Sequence, residues 1–88
     1  MKWIPSYTED ALGDLEELGK RAADRITTKV SEYCQAEKPL SFAKKLQGSY
    51  SDCYRFRVGE YRVIFKYLPD GDVQILLVVR AALRRDLY

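Results

Sequence analysis

Arg55, Arg57 and Arg62 flank the dipeptide Gly59-Glu60, and this spacing is where cationic chemistry concentrates in the chain. Gly at the first central position suits a two-residue type II′ hairpin loop. With Gly59 and Glu60 as that loop, Val58 faces Tyr61, Arg57 faces Arg62, Phe56 faces Val63 and Arg55 faces Ile64. Alternation along each strand then sends Arg55, Arg57 and Arg62 out of one face, with Lys66 further along it. Two like charges directly opposite each other cost a few tenths to about 1 kcal/mol. A face built only for solvation gains nothing from that cost. A phosphate between the guanidiniums would bridge them through charge-assisted hydrogen bonds. The competing explanation is an acid from elsewhere, such as Asp52 or Asp86, neutralising the pair.

A second basic group follows the last apolar stretch: Arg80, Arg84, Arg85 and then Tyr88. Arg80 and Arg84 are one helical turn apart and would share a face in a helical tail. A tyrosine among arginines suits stacking on a nucleobase while the cations hold phosphate, although it serves equally as a packing anchor. Lys44 and Lys45 would extend the basic surface, and the local pattern reads as a solvated helical turn. Hairpin and tail together point to RNA or DNA.

Other chemistries are excluded by what is missing. The chain holds 15 Lys and Arg, 13 Asp and Glu, and 0 His. Without imidazole there is no Ser-His or Cys-His dyad and no His-based zinc site. Cys34 and Cys53 are too few for a zinc site or a disulfide framework, and read as two buried free thiols, with a single bridge between them the alternative. No Gly-rich phosphate loop and no carboxylate cluster suggesting a metal nuclease occurs, so neither metal nor cofactor is expected. Charge is uneven: residues 1–40 carry six cations against eight acids, and residues 41–88 nine against five. The C-terminal half therefore supplies the basic side that an anionic partner would meet.

The elements that must hold these residues follow from periodicity. Residues 2–7 read as a short edge strand containing Pro5. Thr8 is an N-cap with Glu9 and Asp10 in the first turn, and Ala11, Leu12, Leu15 and Leu18 mark a helix over 9–18. Gly19 breaks it, and a second helix runs from about Lys20 to Ala36 with Ala22, Ala23, Ile26, Val30 and Tyr33 inward. From residue 50 the period becomes two. Strands follow at 54–58 and from Tyr61, then the turn Leu68–Asp72, then an apolar central strand Val73–Val79. The expected fold is α+β, two N-terminal helices on a small, mostly antiparallel sheet in the order β-α-α-β-β-β with a short tail. At 88 residues the chain forms a single domain over 1–88. Met1-Lys2-Trp3-Ile4-Pro5 breaks before an apolar run can form and no span of 18 apolar residues occurs, so neither leader nor membrane partner is expected and the location reads as cytoplasmic.

The segments AKKLQGSYSDCYRFRVGEYRVIF and VQILLVVRAALRRDLY resemble the RelE branch of the RelE/ParE toxin superfamily. The shared pattern is a lysine-rich step before KL.G, a YR.R.G.YR..Y hairpin, an apolar strand and a tail ending in Arg-x-x-x-Tyr. The resemblance implies the RelE-like microbial ribonuclease fold and a toxin of a type II toxin–antitoxin system. It also implies a ribosome-dependent endoribonuclease that cuts messenger RNA in the A site without metal. In that chemistry the ribose 2′-hydroxyl attacks the adjacent phosphate in line, leaving a 2′,3′-cyclic phosphate and a 5′-hydroxyl. Its partners would be a cognate antitoxin, the ribosome and messenger RNA, with DNA met only through the antitoxin complex.

By the same resemblance, Arg55 and Arg57 match two basic positions of the first hairpin strand. Arg62 matches the arginine that stabilises the transition-state phosphate, and Tyr88 matches the tail tyrosine that orients a nucleotide. Where some relatives carry a lysine proposed as general base, this chain has Arg57, and a guanidinium, which keeps its proton, makes a poor base. Electrostatic activation of the 2′-hydroxyl is the mechanism that fits. The tail catalytic arginine is Arg84 when counted from Tyr88, with Arg80 the alternative. Leu83 stands where many relatives have His before that arginine. The implied catalytic set is thus Arg57, Arg62, Arg84 and Tyr88, with Arg55, Arg80, Arg85, Lys44 and Lys45 as phosphate contacts. The other reading on this fold is a ParE-like inhibitor of DNA gyrase that acts by protein binding.

Overall fold

The computed structural model describes residues 2–83 and 85. Strand β1 (Lys2–Tyr7) leads into helices α1 (Glu9–Leu18) and α2 (Lys20–Gln35). A 3-10 turn at Pro39–Phe42, strand β2 (Lys44–Lys45) and a second 3-10 turn at Gly48–Tyr50 connect to β3 (Tyr54–Val58), β4 (Tyr61–Asp70) and β5 (Val73–Leu83). The five strands lie in the order β1-β5-β4-β3-β2. β1 runs parallel to β5 and every other pair is antiparallel. The expected α+β architecture is present.

Local chemistry explains the helical layer. Thr8 Oγ1 accepts from the Ala11 amide at 3.1 Å, closing the N-terminus of α1, and donates to the Val79 carbonyl at 3.2 Å. Gly19, at φ 97, joins α1 to α2 with no other intervening residue, a backbone angle that disfavours a side chain. On α2, Ala22, Ile26, Val30 and Cys34 recur every four residues and are buried. Ile26, Val30 and Cys34 pack with Ala11 and Leu15 onto Phe56, Val58, Val63, Phe65, Leu76, Val78 and Ala81 of the sheet. This core covers one face. The other face keeps the arginines.

Three expectations are corrected. Lys44 and Lys45 form β2 and not a helical turn, because the free edge of β3 offers them backbone partners, Lys44 opposite Arg55 and Lys45 opposite Tyr54. The last strand continues past Val79 to Leu83, because Arg62 and Tyr61 at the start of β4 need partners and find them in Ala82 and Leu83. Arg80 therefore lies in a strand, not on a helical face shared with Arg84. A register shift at Ile64/Phe65 pairs Phe65 with Val78 and Ile64 with Arg80, leaving Val79 as the extra residue of a bulge.

Gly59 shows how the hairpin is made. Its φ is +59, the sign a type II′ loop demands at that position, and an added Cβ would lie 2.7 Å from Arg25 Nη2. The steric part is cheap, since Arg25 meets it with the far end of a flexible side chain. The backbone part is not. Gly59→Ala is expected to destabilise the fold by about 1–2 kcal/mol, read from the urea midpoint, with Gly59→Asn closer to wild type.

Candidate functional site

The hairpin register sets the arginine face. Arg57 lies directly opposite Arg62, and Arg55 opposite Ile64. Since Phe56, Val58, Val63 and Phe65 enter the helical core, the intervening Arg55, Arg57 and Arg62 project from the opposite side of the sheet. Lys44, paired with Arg55, joins them by register. Arg57 is exposed, whereas Arg55 and Arg62 are half-buried. The Nε and Nη1 atoms of Arg62 are out of solvent. Arg55, Arg62 and Arg85 each engage the rest of the chain.

Ile64 lies among these cations yet is fully buried, because a second small core covers it. Leu46 and Cys53 pack on Ile64, with Tyr50 and Val79 against them. The segment between β2 and β3 thus folds over the arginine face and stiffens its middle. Asp52 in that segment faces Lys66 at 3.8 Å. At the separation seen, with both groups well exposed, that ion pair contributes little to stability.

The other basic residues divide. The Lys45 ammonium sits 5.9 Å from the centre of the Tyr54 ring, which belongs to the helical side. Lys44 and Lys45 therefore serve opposite faces. Arg85 is exposed. Arg84 and Tyr88, both placed in the catalytic set above, lie outside the described residues.

Arg80 is held by α1. Its Nε donates to Asp14 Oδ2 at 2.8 Å and its Nη2 to Asp14 Oδ1 at 3.2 Å, while the Ala81 amide donates to Oδ2 at 3.0 Å. Burial raises the Asp14 pKa, but the Arg80 and Ala81 hydrogen bonds and the guanidinium charge outweigh it, so the carboxyl titrates below its ordinary value. Asp14 was missed as a site residue, although a signal was available. Ala11, Asp14, Leu15 and Leu18 follow the spacing of one helical stripe, and a carboxylate on an apolar stripe requires a partner.

The thiols do not offer a nucleophile. Both are free and buried. Burial pushes Cys34 up to about 11, and burial together with Asp52 raises Cys53, so neither is a thiolate near neutral pH. Among the described residues no group of three His, Cys, Asp or Glu is placed to hold a metal ion. No helix among them is long and apolar enough to cross a membrane.

Against known proteins, the RelBE2 toxin–antitoxin complex from Mycobacterium tuberculosis superposes with a TM-score of 0.67 at 23% identity, covering 96% of this chain and 100% of that one. The archaeal RelE–RelB complex from Pyrococcus horikoshii gives 0.67 at 23% identity, covering 98% and 99%. YafQ from E. coli gives 0.65 at 18% identity, covering 99% of each chain. At these identities the likeness establishes the fold. No curated protein matches in sequence. The model of the ParE toxin of the type II toxin–antitoxin system parDE matches residues 6–88. The chain belongs to this family, within the RelE/ParE superfamily, and is the toxin of a type II toxin–antitoxin system.

Proposed function

We propose that this toxin is a ribosome-dependent endoribonuclease that cleaves messenger RNA in the A site, neutralised by a cognate antitoxin in the cytoplasm. The observation that carries the reading is the direct pairing of Arg57 with Arg62 across the hairpin, with Arg55 and Lys44 on the same face. Paired cations on a stiff antiparallel scaffold suit a phosphate whose negative charge grows as a bond is made to it. Arg62, with two of its nitrogens out of solvent, stabilises that charge. Arg57 and Arg55 draw the RNA backbone in and favour the 2′-alkoxide by field, not by accepting its proton, since a guanidinium stays charged. The attack is intramolecular within the RNA, and the ribosome supplies the in-line alignment of 2′-oxygen, phosphorus and 5′-oxygen that makes it productive. Phosphorus gains the 2′-oxygen, whose proton passes to water, and loses the 5′-oxygen, which takes a proton from water, giving the cyclic phosphate and the 5′-hydroxyl. Arg84 and Tyr88 are assigned, by resemblance, the tail cation and the nucleotide-orienting ring.

A second reading has its own support. The matching family model is that of ParE, and inhibition of gyrase by protein binding would use the same scaffold without hydrolysis. One experiment separates the two. Primer extension on a reporter messenger in a reconstituted translation system is expected to show cuts inside codons at the A site only when ribosomes are present. Intact message together with inhibited gyrase supercoiling would establish the second reading instead.

A further inference from the structure

The end of β5 is unusual in what lies beside it. β1 stops at Tyr7, opposite Val78, so from residue 79 onward β5 has α1 in place of a strand on its outer side. Two side chains of the β1–α1 segment take over that edge: Thr8 Oγ1 donates to the Val79 carbonyl, and Asp14 accepts from the Ala81 amide. Asp14 also holds Arg80 through two guanidinium nitrogens, with its own side chain only 13% exposed. On its inner side the same stretch supports the arginine hairpin, with Ala82 opposite Arg62 and Leu83 opposite Tyr61. Arg62 is therefore clamped between Arg57, which repels it, and Ala82, whose strand is secured at its outer edge by Asp14.

We propose that Asp14 and Arg80 form a latch that positions the far end of β5 against the Arg57–Arg62 pair, and that Arg80 is a positioning residue and not a phosphate ligand. Its consequence for catalysis rests on the ribonuclease reading above; its consequence for β5 does not. A phosphate approaching Arg80 would have to compete with a carboxylate already bonded to it at 2.8 Å in a partly buried, two-pronged contact. Loss of Asp14 frees the Ala81 edge, and loss of Arg80 leaves the Asp14 carboxylate held by that amide alone, so either change loosens the strand that keeps Arg62 in register. Displacements of about 1 Å at a reacting phosphate are enough to cost a large factor in rate.

The test uses the purified chain as Asp14→Ala, Arg80→Ala and the double variant, with Asp14→Asn retained because it still accepts from the Ala81 amide. Exchange of the Ala81 amide is followed by NMR, binding of a short single-stranded RNA is followed against salt, and cleavage is followed on programmed ribosomes. The latch predicts faster Ala81 exchange in both alanine variants and a double variant no worse than either single one. It also predicts kcat down by about tenfold with KM little changed, as expected of misplacement. The salt slope of RNA binding should match wild type, whereas Arg57→Ala lowers it by about 1. Arg80→Lys, which keeps the charge, should recover part of the activity. The proposal is overturned if Arg80→Ala reduces the salt slope by about 1 while Asp14→Ala leaves cleavage intact, or if the two substitutions add independently. If wild type neither binds nor cuts RNA, the ribonuclease reading falls, and non-additive Ala81 exchange still decides for or against the latch.

Discussion

Arg62→Ala is expected to abolish toxicity and to lower A-site cleavage by about a hundredfold to a thousandfold, the loss typical when one preorganised charge-stabilising group is removed. Three features make Arg62 the most sensitive of the hairpin cations. It is half-buried with Nε and Nη1 out of solvent, so its charge acts in a weaker dielectric than that of exposed Arg57. It sits on β4, with a neighbouring strand on each side, and so is held more rigidly than a group on an edge. It also faces Arg57 directly. Removing one member of a repelling pair gives little or no loss of fold stability by that route. The signature is lost activity in a chain that still folds, with antitoxin binding that remains measurable. Primer extension on programmed ribosomes and colony survival after induction read it. A fully toxic Arg62→Ala would rule out the assigned mechanism, and its inhibition of supercoiling would then be measured.

How legible this was from the residues alone varies by element. The hairpin register was readable because Gly59 restricts the turn and a two-residue loop leaves one pairing, and Val58–Tyr61 through Arg55–Ile64 are the pairs found. The helices were readable to within a residue, since Thr8 caps one and Gly19 separates the two. β2 was not. A two-residue strand has no periodicity of its own, and Lys44 and Lys45 are extended only because the edge of β3 is there to pair with. The end of β5 escaped for a related reason: Arg80 interrupts the apolar run, and only the tertiary partner Asp14 explains a cation inside that strand. Ile64 was placed on the arginine face correctly. What buries it, the small core of Leu46 and Cys53, comes from a segment with no regular pattern. The phosphate roles of Arg57 and Arg62 remain a reading of charge and geometry, and those of Arg84 and Tyr88 one of resemblance.

Phe56→Ala is expected to be the most damaging change to the fold, at about 3–5 kcal/mol, from lost transfer energy plus the cavity left behind. Phe56 is fully buried on the helix-facing side of the sheet. Its ring lies 4.3 Å from Phe65 and 4.5 Å from Tyr33, centroid to centroid. Through those neighbours it links Phe42, stacked on Tyr33, to Tyr54, Tyr67 and Trp3 at the other end. Truncation thus removes two ring contacts as well as buried area, and none of the surrounding rings can move in without abandoning its own stack. A domain of this size has a total stability of about 5–15 kcal/mol, so the loss consumes much of it. The melting temperature should fall by about 12 °C or more, measured by circular dichroism. Phe42→Ala is the matched control. The same atoms are removed from a ring that is 51% exposed and has its outer face in water, so the loss should be near 1 kcal/mol. If the two substitutions cost the same, the aromatic run is not a packed core. If Phe56→Ala alone unfolds the chain, its toxicity is lost through folding, the opposite of the intact but inactive Arg62→Ala, and the two variants together separate the scaffold from the chemistry it carries.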